Sequence, residues 1–260
     1  MIFTHPVDAL LTSLRADPGR PRVTWYDGDE RVELSGHVLD NWVSKTTNLL
    51  VEELDVGPGS TVLVDLPAHW RAIVWWLAVL RSGACLTTSA DAAPAPDVVV
   101  TTDPTRSPTA PELVVVALPA LARRAEVPLP PGAIDAAAAV MTYGDVLGFA
   151  TEPTVHDPAV RLGAPPSVTT VGYADLLDWA ARQAGETSLT IDGVPAVGVG
   201  PGDARVLITA RGAVPGLLAT ALTVLAGNGS IVLCSAGMTD VLLADRDRLD
   251  RLRASERVTG

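Results

Sequence analysis

Across 260 residues the chain carries a formal net charge of −11 and is 48% hydrophobic. That excludes a disordered polypeptide and fits one large domain or two small ones. The negative balance argues against a nucleic-acid partner or an anionic membrane, because both are held by clustered Lys and Arg.

Residues 4–17 read as a helix, with Val7, Leu10, Leu11 and Leu14 spaced for one buried face. Arg22–Tyr26 and Arg31–Leu34 flank Asp27-Gly28-Asp29, and Asp-Gly between two short β-like runs is a strong hairpin signal. Ser35 then caps a helix to Leu54, with Val38, Leu39, Trp42, Val43, Thr46, Leu49 and Leu50 expected inward. Val56-Gly57-Pro58-Gly59 is a turn. Thr61–Leu66 is a continuous apolar strand broken by one acid, as in a parallel sheet covered on both faces. Residues 68–82, rich in Trp, form a helix ended by Gly83, and Ala84–Thr88 is the next strand. Further strands are expected at Val98–Thr101 and Leu113–Ala117, with loops between them and at Pro128–Pro131. A short helix should begin near Tyr143, and the Pro-rich stretch Thr151–Thr169 reads as a linker.

A similar order then returns. Gly172–Ala184 resembles the helix after Ser35, and Val199-Gly200-Pro201-Gly202 resembles Val56-Gly57-Pro58-Gly59. Arg205–Thr209 matches the strand at Thr61, Pro215–Ala226 the Trp-rich helix, and Ser230–Cys234 the strand at Ala84. The expectation is an α/β fold of two similar layered subdomains with mainly parallel sheets. The first spans residues 1–150, and the second, an incomplete repeat of it, residues 151–260. Thr239–Val258 reads as one amphipathic helix with a solvated charged face. No charge falls between Gly212 and Thr239, but Gly227-Asn228-Gly229 breaks that run too early for a membrane span. The first residues lack the basic start and long apolar core of a signal peptide, which points to the cytoplasm. Cys85 and Cys234 sit in apolar runs and read as buried free thiols, and no His/Cys spacing suggests a metal.

Several segments resemble adenylate-forming enzymes, the acyl-CoA synthetases and their relatives. The residues that carry the likeness are Val56-Gly57-Pro58-Gly59-Ser60, the strand Val62–Leu66 with Pro67, and Leu77-Ala78-Val79-Leu80-Arg81-Ser82-Gly83-Ala84. Asp157-Pro158-Ala159, Gly172-Tyr173-Ala174-Asp175-Leu176-Leu177, Asp203–Leu218 and Leu249–Thr259 extend it. The resemblance implies the α/β fold of that family's large N-terminal domain. An unrelated doubly wound α/β protein is the plainer alternative.

The likeness also implies a phosphate loop rich in Ser, Thr and Gly that ends in Pro-Lys-Gly. Its backbone amides and lysine would hold ATP phosphates. In its place stands Val160–Val171, which is shorter, has one glycine and no lysine, and contains Pro165-Pro166. Prolines remove amide donors where phosphates would need them. Lys45 is the only lysine of the chain and lies on the second helix, away from that loop. Arginine bias in the composition explains one missing lysine but not a shortened loop.

The leading expectation is therefore a truncated, degenerate relative without ligase activity by itself, with a binding or scaffold role. No catalytic residue is assigned. A vestigial ligand pocket would be lined by Arg161, Ser167, Thr169, Thr170 and Arg211. The alternative is a divergent enzyme or binder of ATP, AMP or an acyl ligand, using Mg²⁺ and completed by a partner chain, with Arg161 on phosphate. A third reading is a homo-oligomer, because an adenylate-forming domain cut here should leave an uncovered sheet edge. No Gly-x-Ser-x-Gly elbow is present, Gly198–Gly202 lacks dinucleotide-binding spacing, and His5, His37, His69 and His156 read as surface or helix-cap residues.

Overall fold

Two sheets organise the chain. The computed structural model describes residues 4–91, 94–107, 109–186, 204–209 and 214–259. Contacts divide it into a first unit (Met1–Asp8, Asp40–Pro67, Val74–Leu176) and a second (Ala9–Leu39, Ala68–Ile73, Leu177–Gly260). The units interleave along the chain, so the boundary at residue 150 read from the sequence does not coincide with this division.

In chain order the helix α1 (Pro6–Arg15) precedes the hairpin β1 (Pro21–Asp27) and β2 (Glu30–Ser35), whose turn holds Gly28 at φ 56°. Helix α2 (Gly36–Leu54) follows, with the Ser35 hydroxyl 3.3 Å from the Val38 N–H it accepts. Leu39, Val43, Leu49 and Leu50 are buried as expected, but Val38 is exposed and Trp42 only half-buried. Val38 and Trp42, four positions apart on α2, share its partly exposed face with Asn41 and Lys45, whereas Leu39 beside Val38 faces the core.

The first unit is built on a seven-stranded sheet. Its strands are β3 (Thr61–Asp65), β4 (Cys85–Thr87), β5 (Val98–Thr101), β6 (Glu112–Val115), β7 (Ile134–Asp135), β8 (Pro158–Ala164) and β9 (Ser167–Gly172). The order is β7-β6-β5-β3-β4-β8-β9, parallel throughout except for the antiparallel β8–β9 pair at one edge. The apolar runs of β3 and β5 occupy central positions, where both faces are covered. Helix α3 (Trp70–Arg81) joins β3 to β4 and ends at Gly83, whose φ of 86° few side chains tolerate. A Cβ there would lie 2.9 Å from the Thr151 carbonyl oxygen. The Tyr173 hydroxyl lies 2.7 Å from the Leu80 carbonyl oxygen and 2.8 Å from that of Ala84, so it serves the acceptors on either side of this turn. Burial holds its phenol well above the ordinary range.

The second unit is built on a four-stranded sheet, order β10-β11-β1-β2, with β10 (Arg205–Thr209), β11 (Ser230–Cys234) and β1 parallel. Helix α6 (Val214–Ala226) joins β10 to β11, as α3 joins β3 to β4. Both parallel pairs are direct neighbours, with Thr61 opposite Cys85 and Arg205 opposite Ser230. After Asn228, at φ 60°, the apolar run becomes β11, and no described helix is long and apolar enough to cross a membrane. One core here joins Leu207, Val232, Cys234, Met238, Leu242, Leu249 and Leu252.

Three expectations need correction. The short helix near Tyr143 lies before it: α4 (Ala136–Ala139) is capped by the Asp135 carboxylate and ends in a 3₁₀ turn at Thr142. The stretch Thr151–Thr169 is not a linker, because β8 and the start of β9 occupy most of it. Three of its four prolines fall at the first residue of a strand (Pro158) or in a hairpin turn (Pro165, Pro166), two places where a missing N–H costs little, and Pro153 lies in the irregular segment before β8. Thr239–Val258 is not one helix: α7 (Ala236–Ala244) and α8 (Arg246–Ser255) are separated by Asp245, whose extended backbone and carboxylate cap the second. Helix α5 (Leu176–Glu186) follows β9 through a 3₁₀ turn at Tyr173–Asp175. The Val199–Gly202 turn lies outside the described residues.

Candidate functional site

The position of the expected phosphate loop is occupied by the β8–β9 hairpin. Ala164 pairs with Ser167, which leaves Pro165-Pro166 as the whole connection. Gly163 beside it has φ 79°, and a Cβ on it would come within 2.3 Å of the Ser167 carbonyl oxygen. Glycine is thus required for the strands to close this tightly. A phosphate cradle needs several free N–H groups converging on one concave loop. Here the neighbouring residues pair as strands, and the two turn residues have no N–H at all. With no lysine in the segment either, the hairpin does not fit the phosphates of ATP.

The five candidate ligand residues do not converge. Arg161 on β8 is flanked by Thr87 on β4 and Thr170 on β9, its register partners on the same sheet face. Its guanidinium is half-buried and donates to Thr61 Oγ1 at 3.4 Å. Arg161 and Thr170 are therefore brought together. Ser167 and Thr169 are exposed and, by strand alternation, face the opposite side from Thr170. Arg211 lies outside the described residues. The Cys85 thiol is pushed up by burial, against the opposing pull of Arg161, and is thus a protonated core group rather than a nucleophile. Burial likewise pushes the Cys234 thiol up to about 12.

Two histidines serve as helix caps. His5 Nδ1 accepts from the Val7 N–H at 3.2 Å, and His69 Nδ1 from the Arg71 N–H at 3.1 Å. The His69 ring packs 4.6 Å from Trp25 and is 6% exposed, and burial lowers its pKa to about 3. It is neutral at every physiological pH. His37 and His156 are exposed. Among the described residues no group of His, Cys, Asp and Glu could hold a metal ion.

A second polar constellation lies in the second unit, and sequence reasoning missed it. Glu256, at the end of α8, receives hydrogen bonds from the Tyr26 hydroxyl, from Arg31 Nε at 2.9 Å and from Arg205. Arg31 also reaches Glu33 at 2.5 Å, and Arg205 reaches Thr24 at 2.9 Å. Burial penalises the Glu256 carboxylate, but these donors outweigh it and hold the pKa at about 2. Arg31 is held above its ordinary value chiefly by the same carboxylate. The Tyr26 phenol is raised, first by burial and then by Glu256. Past Glu256 the chain adds to β10: the Thr259 N–H donates to Arg205 O, and the Arg205 N–H to Thr259 Oγ1, each at 2.9 Å. Local pattern could not reveal this, because Arg31 and Glu256 are 225 positions apart.

Two largely parallel sheets of this order, each with a βαβ pair of direct neighbours, have the fold of acyl-CoA synthetases and adenylation domains. An artificially fused adenylation–PCP di-domain of a nonribosomal peptide synthetase from Klebsiella oxytoca superposes with a TM-score of 0.66 at 16% identity. The match covers all of this chain and 43% of that one. An acyl-CoA synthetase from Brucella canis gives the same TM-score at 19% identity, over 93% of this chain and 45% of that one. The chain thus spans less than half the length of these solved structures. No protein-family model matches it. A TIGR03089 family protein of Mycobacterium tuberculosis (strain ATCC 25618 / H37Rv) is 36% identical over 258 residues, covering 95% of this chain and 93% of that protein. The chain belongs to the TIGR03089 family.

Proposed function

We propose that the protein is an acyl-CoA synthetase-like binding or scaffold protein that forms no acyl-adenylate by itself. The observation that carries this reading is the closed β8–β9 hairpin. Where the fold's enzymes are expected to cradle ATP phosphates, this chain has two paired strands, a Pro-Pro turn and no lysine. Adenylation is a positioning and charge-stabilising task, so losing both the amide donors and the cation removes most of what the protein supplies. The test is mass spectrometry of purified protein incubated with ATP, Mg²⁺ and a set of carboxylic acids. No acyl-adenylate should appear, and its appearance in proportion to enzyme would refute the reading.

A second reading is favoured by one observation, that the chain spans 43% and 45% of its solved relatives. On that reading ATP or AMP with Mg²⁺ binds only in a complex with a partner chain. Adding a co-purified partner would then create the adenylation that the chain alone lacks. Self-association through β9 belongs to the scaffold reading. That strand is an exposed sheet edge without a charged residue, whereas β2 carries Glu30, Arg31 and Glu33 and Thr259 pairs with Arg205 at the start of β10. Light scattering should report a mass above 27.0 kDa, and a strict monomer would remove that part.

A further inference from the structure

We propose that the second unit carries a binding pocket for a small molecule bearing a phosphate or diphosphate group. The pocket lies at the seam between the four-stranded sheet and the end of α8, and its volume is about 460 Å³. Among the described residues Arg20, Arg31, Arg205 and Arg257 line it, with Glu33 and Glu256 as the only carboxylates. Among the described lining residues four guanidinium groups stand against two carboxylates, inside a chain whose formal charge is −11. This is the reverse of what solubility alone would place there.

The carboxylates do not cancel the site. Glu256 is enclosed by Arg31, Arg205 and the Tyr26 hydroxyl, and Glu33 is paired with Arg31. Both carboxylates are thus engaged by arginine, and the pairs hold the Arg31 and Arg205 guanidinium groups in the pocket wall. Arg257 is different. It is exposed, and among the described residues nothing pairs with its guanidinium. It follows the last turn of α8 at φ 52°, the left-handed position that glycine fills best at a helix end. An arginine therefore stands where the backbone favours glycine, and its side chain lines the pocket. Guanidinium presents a planar fork of donors that matches phosphate oxygens in pairs. A volume within the usual range of roughly 300–1,000 Å³ for small-molecule sites suits a phosphorylated metabolite rather than a polymer. The inference goes beyond the proposed function, because none of these residues belongs to the β8–β9 hairpin.

The test is titration calorimetry of the full chain with inorganic pyrophosphate and with AMP, at constant ionic strength, beside thermal unfolding. Saturable binding is expected, weakened about tenfold in Arg257→Gly, the loss of one charge-assisted contact. Glycine suits the left-handed backbone, so the thermal midpoint of that variant should stay level or rise, which separates lost binding from lost fold. Arg20→Gln should weaken binding in the same direction. Ser167→Ala, on the exposed β9 strand, should leave it unchanged. Tighter binding of AMP than of pyrophosphate would assign the group to an organic ester, and the reverse to inorganic phosphate. No saturable binding, or equal binding by the wild type and Arg257→Gly, would overturn the proposal.

Discussion

Replacing Glu256 with Gln keeps the size of the side chain and removes its charge from the Tyr26–Arg31–Arg205 cluster. The carboxyl titrates at about 2 instead of 4.5, although burial alone would push it upward. A shift of that size corresponds to about 3 kcal/mol, at about 1.36 kcal/mol per pH unit. The Arg31 side chain is 42% exposed, and water screens its share, so we expect about 2 kcal/mol. Because the folded pKa lies below the unfolded one, the contribution is complete above about pH 4.5. It fades as the pH falls towards 2. Urea unfolding of wild type and Glu256→Gln at pH 7 should therefore differ by about 2 kcal/mol. At pH 3 the gap should shrink to less than half of that. Taking the difference between the two proteins removes the effect of acid on every other group. A gap that is the same at pH 7 and pH 3, or absent at pH 7, would refute the argument.

Two further substitutions probe the frame of the first unit. Tyr173→Phe strips the donor from the Leu80 and Ala84 carbonyls, both 2.7–2.8 Å from its hydroxyl, and should cost about 1–2 kcal/mol in urea unfolding. An unchanged midpoint would mean that water replaces the phenol. Gly83→Ala forces a side chain into a left-handed backbone and against the Thr151 carbonyl at 2.9 Å. It should cost about 2 kcal/mol or more, read as a lowered thermal midpoint, and a neutral result would contradict the turn geometry.

Much of the fold was legible because its signals are local. Val98–Thr101, Arg205–Thr209 and Ser230–Cys234 are strands with the expected bounds, since short β-branched runs between turn residues have few other uses. Asp27-Gly28 and Gly83 punctuate the chain as their backbone freedom requires. The errors arose where one residue type serves two purposes. Prolines at 158, 165 and 166 suggested a linker, yet they open a strand and make a hairpin turn. Asp245 looked like one more charge on a solvated helix face, but its side chain accepts the Arg248 N–H and starts a new helix. The candidate ligand residues were legible only as sequence neighbours. Strand alternation then sends Ser167 and Thr169 to the face opposite Thr170, which counting along the loop could not anticipate. Glu256 was hidden for a different reason. Its role depends on partners on β1, β2 and β10, and only tertiary packing assembles them.

The proposed lack of adenylation rests on the β8–β9 hairpin standing in place of a phosphate cradle. Exchange of labelled pyrophosphate into ATP, measured with the purified chain, Mg²⁺ and carboxylic acids, tests that claim most directly. Phosphate held in the arginine pocket of the second unit would produce no exchange and cannot imitate it. Exchange no faster than in protein-free controls is expected. Exchange that depends on a carboxylic acid and scales with protein would contradict it.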